Sequence, residues 1–281
     1  MSGSLYGAWA KCGRAKTHLE TLKAEAVGSS TFTNEWMSRY PATPEAHRDG
    51  LEYRFYVEPE PLDTLDWALL AGDCLFNLRA ALDHIAYELH VRRYKGRVPK
   101  DAAKASAFPI FTTRPAVDPA KWKDIKRLGF KQRKAIEFLQ PYNRRNDKFW
   151  AIRDALGDIQ TLNNIDKHRH LHLLQATAVT APVPSYAGGV GWSAEDFPPS
   201  YGFEQISFLA KPLVGKTEVF RWTFDTVPPD IAEQVNKNHE ITALVCLYEG
   251  GQARPMKSLL SSLVMAVEVV LKRFSVFLPY S

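Results

Sequence analysis

The chain has 281 residues, 45% of them hydrophobic and 24% charged, and a net charge of +5. This composition excludes an intrinsically disordered chain, because it supplies enough apolar side chains for a core. The N-terminal segment lacks the apolar run and cleavage site of a secretory signal, and the three cysteines form no C-x-x-C pair. We therefore expect a cytoplasmic protein without a disulfide framework or a zinc knuckle.

In the first third of the chain, apolar residues recur at helical spacing over residues 4–27 and again over 62–92. Between these predicted helices, a polar segment with Pro41 and Pro44 is expected to form a loop, and LEYRFYVEP (51–59) a short strand. The second helix should face the core with one stripe, formed by Leu75, Leu78, Leu82, Ile85 and Leu89.

The middle of the chain predicts loops and one short helix over 93–129, with FPIF (108–111) as an apolar anchor. Two further helices are expected, over 131–140, where Pro141 follows, and over 147–167.

After residue 169 the hydrophobic period changes from 3.6 to 2, which predicts a series of strands over 170–180, 203–210, 217–224 and 239–248. A loop rich in proline and glycine separates the first two of them. The chain closes with a predicted helix over 255–277, which is apolar but carries Glu268, Lys272 and Arg273. These charges favour a buried helix over a membrane span.

Together these elements predict an α+β fold, a bundle of about five helices packed with an antiparallel sheet of four or five strands. We expect a single domain over 1–281, with its helical part mainly in 1–168 and 254–281 and its sheet part mainly in 169–250. The sequence contains neither G-x-G-x-x-G nor G-x-x-x-x-G-K-[ST]. Dinucleotide sites and P-loops are therefore disfavoured, and no cofactor is expected.

The positive charge is concentrated in residues 92–134, where fourteen Lys or Arg accompany three Asp, a local balance of +11. Two interpretations stay open: a solvated surface, or contact with a polyanion whose phosphates these cations neutralise. On the second interpretation, the predicted RNA contacts are Arg92, Arg93, Lys95, Arg97, Lys126 and Arg127.

Within NLRAALDHIAYEL (77–89), Arg79 and His84 lie outside the leucine stripe, and their directions on the helix diverge by about 140°. Metal-independent RNA cleavage needs a histidine that shuttles protons, a cation that holds the phosphorane, and the 2′-hydroxyl as nucleophile. Because the two side chains diverge, we expect two such helices to cross and pool their residues. The alternative is a solvated ion pair of Arg79 with Asp83 and an idle His84.

The R-x4-H spacing of Arg79 and His84 resembles the signature of the HEPN superfamily of helical-bundle ribonucleases, found in toxin–antitoxin, abortive-infection and CRISPR effector systems. The resemblance covers residues 62–92 and implies a motif at a homodimer-like interface, catalysis by His84 and Arg79, and products with 2′,3′-cyclic phosphates. The family often has a polar residue after the arginine, where this chain has Ala80. Asp83, beside His84, is a candidate for that missing polar group.

The succession of GDCLFNLRAALDHIAYEL, FPIF, LQPY and LNNIDKHR also resembles a group of bacterial proteins of similar length. This second resemblance implies a bacterial or phage origin and no particular mechanism. It does not identify an antitoxin or any other partner protein.

The segment NNIDKHRHLHLL (163–174) allows two interpretations. As the end of a helix, its basic residues complement the negative end of the helix dipole. One face of that helix would then support Arg79 and His84 with Asn163, Asp166 and His170. As the start of a strand, the segment would present three imidazoles on one side, which is a metal-binding arrangement suited to a hydrolase, formed by His168, His170 and His172.

The far face of the predicted helix over 62–92 carries Phe76, Ala80 and Tyr87 between ionisable residues. A solvated helix face rarely carries two aromatics around an alanine, so we expect this face to meet another helix, from the same chain or a second copy. The leading hypothesis is a metal-independent endoribonuclease or RNA-binding defence protein, acting as a homodimer. The alternative hypothesis belongs to another class of function: a non-catalytic homodimer that uses this face for interaction.

Overall fold

The computed structural model describes residues 3–28, 37–59, 65–104, 107–114, 126–143, 147–168, 171, 173–177, 203–207, 212–228, 231–237, 239–249 and 251–279. The chain divides into two compact units. The helical unit comprises Met1–Ala24, Leu65–Leu171 and Ser258–Ser281, and the sheet unit comprises Glu25–Thr64 and His172–Lys257. The sheet unit thus includes residues 37–59, which lie within the range 1–168 that the prediction gives mainly to the helical part. The single domain over 1–281 stays a prediction.

The helices in the described part of the chain are α1 (Tyr6–Gly28), α2 (Leu65–Arg93), α3 (Lys100–Lys104), α4 (Phe130–Phe138), α5 (Trp150–His168), α6 (Ile231–Val235) and α7 (Met256–Phe274). The predicted helices are all present, with ends within a few residues of those expected. The short α6, in the sheet unit, was not predicted.

Apolar stripes position α1 and α2 in the helical unit. The predicted stripe of α2 is confirmed, because all five of its side chains are fully buried. From Leu5, just before α1, the buried residues recur along the helix at alternating spacings of three and four, at Ala8, Cys12, Ala15, Leu19 and Leu22. Helix α2 contacts both α1 and α5, since Gly7 of α1 lies against His84 and Gly72 lies against Asp166 of α5.

Helix α7 is a core element, as its apolar sequence predicts. Its fully buried side chains include Leu260, Leu263, Val267, Val270, Leu271 and Phe274. Over the described residues, no helix is both long enough and apolar enough to cross a membrane.

The sheet unit contains the strands β1 (Met37–His47), β2 (Glu52–Val57), β3 (Leu173–Thr177), β4 (Phe203–Ser207), β5 (Thr217–Phe224), β6 (His239–Glu249) and β7 (Gln252–Pro255). They pair antiparallel in the order β3-β6-β1-β2-β5-β4, and β7 pairs with β6. Five of these strands match predicted ones, whereas β1 and β7 were not predicted. The α+β class is confirmed.

Strand β1 is the main correction to the sequence reading, which placed a loop at Pro41 and Pro44. Residues 37–42 of β1 pair with β6, and residues 43–47 pair with β2. Each half of the strand therefore has one edge that no other described strand occupies. A proline, which lacks an N–H donor, is tolerated in a strand at such an edge.

Aromatic side chains form the core of the sheet unit around His239. The rings of Phe55 and Phe220 stack at 4.2 Å, and the His239 ring lies 5.1 Å from both Phe55 and Trp222. Its Nε2 lies 2.9 Å from the carbonyl oxygen of Gln234. Burial lowers the pKa of His239 and outweighs this hydrogen bond. The ring is therefore neutral at pH 7 and serves the packing of the sheet.

The three cysteines are free and buried. Burial, the largest influence in each case, raises the pKa of Cys12 to about 11 and the pKa values of Cys74 and Cys246 to about 12. These thiols stay protonated near neutral pH and are poor nucleophiles.

Candidate functional site

The candidate site lies on α2, where an exposed strip separates Arg79 from His84. Leu69, Phe76, Ala80 and Tyr87 fall within about 40° of one another around the helix, and we call these four residues the α2 ridge. The exposed fractions of its large side chains are 48% for Leu69, 52% for Phe76 and 39% for Tyr87. Within the described chain, the large side chains of this predicted contact face are thus exposed, Ala80 is partly buried, and Lys11 Nζ of α1 lies 5.8 Å from the Phe76 ring centroid.

On one side of the ridge, Arg79 and Asp83 hold the backbone of Phe108. Arg79 Nη2 lies 2.9 Å from Asp83 Oδ1, and Nε lies 3.3 Å from Oδ2, so the ion pair is bidentate. The amide of Phe108 donates to Asp83 at 2.8 Å, and Arg79 Nη2 donates to the Phe108 carbonyl at 2.7 Å. We call this arrangement of Arg79 and Asp83 the Phe108 clamp, because it satisfies both backbone polar groups of a fully buried residue.

The clamp occupies most of the donors of Arg79. A further N–H of the guanidinium, on Nη1, donates to Gln160 of α5 at 3.0 Å. Four of its five N–H groups are therefore engaged, and the fifth has no partner within the described residues. The side chain of Arg79 is only 13% exposed, against 38% for Asp83. The pair is thus an inward-facing structural element as well as a candidate phosphate contact.

The FPIF segment is held at its other end by Gln140, a fully buried side chain. Gln140 accepts from the amide of Phe111 and donates to the carbonyl of Pro109, both at 2.9 Å. Since Phe108 is fully buried and Ile110 is 8% exposed, the predicted role of FPIF as an apolar anchor is confirmed.

On the other side of the ridge, His84 lies against α1. A Cβ atom built on Gly7 would come within 2.9 Å of His84 Nδ1 and 3.2 Å of Cε1. The imidazole fits there because residue 7 has no side chain. Asp83 directs its oxygens to Arg79 and Phe108, so it does not orient the ring of His84. Within one chain, Arg79 and His84 therefore have different neighbours.

Of the predicted supporting residues, Asp166 of α5 lies on the side of α2 that carries Arg79, Asn163 is buried in α5, and His170 lies outside the described residues. The two helices run antiparallel, because Gln160 contacts Arg79 whereas Asp166 lies against Gly72. Along α2, Gly72 and His84 are separated by about 18 Å. Asp166 is thus far from the imidazole, and Gln160, one turn before the buried Asn163, is the α5 residue that reaches the clamp.

The alternative metal site stays a prediction. His170 and His172 lie outside the described residues, as does the side chain of His168. Among the described residues, no group of three or more His, Cys, Asp or Glu could hold a metal ion.

The predicted RNA contacts are available to solvent. All six side chains are exposed. Arg92 and Arg93 end α2, Lys95 and Arg97 follow it, and Lys126 and Arg127 precede α4. Lys95 adopts a left-handed conformation, with φ of 51°, in the turn that ends α2. These residues can give an electrostatic attraction to phosphate that does not depend on sequence.

A cleft of about 960 Å³ lies in the helical unit between α4 and the end of α7. Five cationic side chains line it, those of Arg114, Lys131, Lys134, Lys272 and Arg273, together with the carboxylate of Glu137. Four aromatic side chains also line it, Phe130, Phe138, Tyr142 and Phe277. We call this cavity the α4–α7 cleft.

The guanidinium of Arg273 lies over aromatic rings beside this cleft. Its Cζ is 4.5 Å from the ring centroid of Phe138 and 5.2 Å from that of Phe149. Its Nε is buried without a hydrogen-bond partner in the described part of the chain. A buried donor without an acceptor is costly, whereas other atoms of Arg273 line the cleft and carry its positive charge to the cavity.

No protein-family model matches the chain, and no curated protein or solved structure matches it. The roles of the residues therefore rest on their geometry.

Sequence reasoning did not identify three of the residues at these sites. Gln160, which contacts Arg79, lies one turn before Asn163 on the helix that the sequence predicts to support Arg79. Gln140 gave no signal beyond its place before Pro141. In the sequence, Arg273 is only a charge that disfavours a membrane span, because nothing there places it beside α4.

Proposed function

We propose that the chain is an RNA-binding homodimer of HEPN-like type that cleaves RNA without a metal ion, as toxin or phage-defence ribonucleases do. The observation that carries the proposal is the α2 ridge, an exposed apolar strip with an imidazole on one edge and a guanidinium on the other. A helix with two exposed aromatic side chains around a small residue is suited to close packing against a second helix.

The geometry of such a dimer supports a shared site. A two-fold axis nearly parallel to α2, about which the two helices cross at a small angle, exchanges left and right edges, so it brings the His84 edge of one copy against the Arg79 edge of the other. The composite site then combines groups that face different neighbours within one chain. His84 would take the proton from the 2′-hydroxyl or give one to the leaving 5′-oxygen, and Arg79 would direct its remaining N–H to the phosphorane.

Labelled tRNA incubated with the protein in excess EDTA tests this mechanism. We expect cleavage with 2′,3′-cyclic phosphate ends and a rate at least about 100-fold lower for His84→Ala, because a general acid or base contributes that much or more. His18→Ala, which removes another partly exposed histidine, on α1, is the matched control and should cleave normally. Intact tRNA with the wild-type protein, or undiminished cleavage by His84→Ala, would refute the mechanism.

A second candidate function, a non-catalytic homodimer, is favoured by one observation: the Phe108 clamp already engages four of the five donors of Arg79. Sedimentation analysis of Ala80→Arg, which places a cation in the ridge, separates the two candidates. Both predict that this variant is monomeric, and only the ribonuclease loses an activity with it. Ala151→Arg, at an exposed position of α5, is the control and should stay dimeric. A monomeric wild-type protein would contradict both candidates.

A further inference from the structure

The α4–α7 cleft has more positive charge than the described residues that line it neutralise. Of its five cations, Lys134 is paired with Glu137 at 2.7 Å, and Glu137 is the only carboxylate among the described lining residues. Without this pair, four cations remain, and no described acid in the lining compensates them. Like charges gathered in a cavity repel one another, so an anion bound there is stabilised by all of them.

The cleft also has aromatic surface exposed at its rim. The side chain of Phe130 is 67% exposed, although it is one of the larger apolar residues of α4. Tyr142 offers a hydroxyl, and burial together with the nearby Glu137 raises the pKa of Tyr142. Its O–H stays protonated at neutral pH and can donate a hydrogen bond. The lining is therefore suited to a planar ring with a polar edge as well as to an anion.

We propose that the α4–α7 cleft binds a nucleotide, with its base stacked on Phe130 and its phosphate held by Lys131, Lys272 and Arg273. Inorganic phosphate would leave the aromatic rim unused, and a nucleoside would leave the cations uncompensated. The volume of about 960 Å³ is at the upper end of the range of about 300–1,000 Å³ for small-molecule sites. P-loop and dinucleotide folds hold phosphates with glycine-rich loops. In this cleft, aromatic stacking and cationic side chains would bind the nucleotide instead.

The bound nucleotide has two possible sources, a free nucleotide or the phosphorylated end of a single-stranded RNA. Calorimetric titration of the full chain with AMP, adenosine, inorganic phosphate, and penta-adenylate with and without a 5′-phosphate distinguishes them. We expect AMP to bind at least about tenfold more tightly than adenosine or phosphate. Tighter binding of the 5′-phosphorylated penta-adenylate than of AMP assigns the site to RNA ends, and equal or weaker binding assigns it to free nucleotides.

Matched variants locate the binding site. Phe130→Ala should weaken AMP binding by about fivefold or more, the effect of losing one stacked base, whereas Tyr6→Ala, equally exposed at 67%, should not change it. Lys131→Gln should weaken binding, and Arg133→Gln, which removes a charge from the same helix outside the cleft lining, should change it little. Both cleft variants change exposed side chains, so folding is preserved.

Arg273→Gln should abolish the preference for AMP over adenosine, and circular dichroism checks that this partly buried change leaves the fold intact. If the variant does not fold, the two exposed cleft variants decide the matter. The proposal is overturned if AMP binds no more tightly than inorganic phosphate, if Phe130→Ala and Tyr6→Ala behave alike, or if phosphotyrosine binds more tightly than AMP. Because binding is measured directly, these outcomes do not depend on the proposed ribonuclease activity.

Discussion

Replacing Asp83 with alanine should destabilise the helical unit by about 2–3 kcal/mol. The change removes both carboxylate contacts of Arg79 and the acceptor of the Phe108 amide. Breaking a buried ion pair costs about 3–5 kcal/mol, because the remaining charge is left in a poor environment. Since Asp83 is 38% exposed, water partly compensates, and we lower the expected cost accordingly. Asp83→Asn keeps one oxygen acceptor and should cost about half as much.

Urea denaturation, followed by the helical circular dichroism signal, measures the free energy of unfolding for each variant. The matched control is Asp154→Asn, an exposed carboxylate of α5, which should change stability by no more than about 0.5 kcal/mol. The dependence of the unfolding free energy on urea should be the same in all variants, because the surface exposed on unfolding is unchanged.

A double-mutant cycle with Arg79→Ala isolates the clamp itself. If the two side chains act together, the double variant loses less stability than the sum of the single variants, since removing one partner already forfeits the shared interaction. The reasoning is refuted if Asp83→Ala is as stable as Asp154→Asn, or if the effects at Arg79 and Asp83 simply add. Either result would mean that the clamp does not form in solution.

Two further predictions concern His84 and His239. Gly7→Ala places a Cβ atom 2.9 Å from His84 Nδ1, so it should displace the ring and reduce tRNA cleavage. Gly13→Ala is the control, because its Cβ would have no atom within 4 Å, and it should leave cleavage unchanged. Equal activities of the two variants would contradict the proposed position of the ring. Because burial lowers the pKa of His239, the unfolded state binds a proton more readily, so the wild-type protein should lose stability relative to His239→Gln as the pH falls below about 6.5. Above that pH the difference between their urea unfolding free energies should be constant, and a constant difference down to pH 5 would refute the assignment.

The long helices α1, α2, α5 and α7 could be predicted because each one buries a stripe with a period close to 3.6. The stripe of α2 needs no information from the rest of the chain, and it was predicted residue by residue. Strand β1 could not be predicted in the same way, because Pro41 and Pro44 disfavour a strand locally. Both prolines are compatible with the sheet because the first half of β1 pairs with β6 and the second half with β2, so each half has an edge without a described partner strand. This arrangement follows from the topology of the sheet and not from the local sequence.

The candidate site was predictable where it depends on one helix and not where it depends on several. Helical geometry alone places Arg79 and His84 on opposite edges of the α2 ridge. The Phe108 clamp needs a backbone group from a segment 25 residues beyond Asp83, and the α4–α7 cleft needs Arg273 from the end of the chain. Such contacts follow from tertiary packing, which no local spacing records.

The Phe108 clamp implies a trade-off between the stability of the fold and the proposed binding of phosphate by Arg79. A phosphate can gain more than the one remaining N–H of Arg79 only if the guanidinium gives up part of its interaction with Asp83, which also accepts from the Phe108 amide. Asp83→Asn should therefore have opposite effects on the two properties: it weakens the fold, and it makes the positive charge of Arg79 more available to RNA. If RNA affinity rises as stability falls, Arg79 has both roles; if stability falls alone, Arg79 belongs to the fold, and the non-catalytic homodimer is the better account.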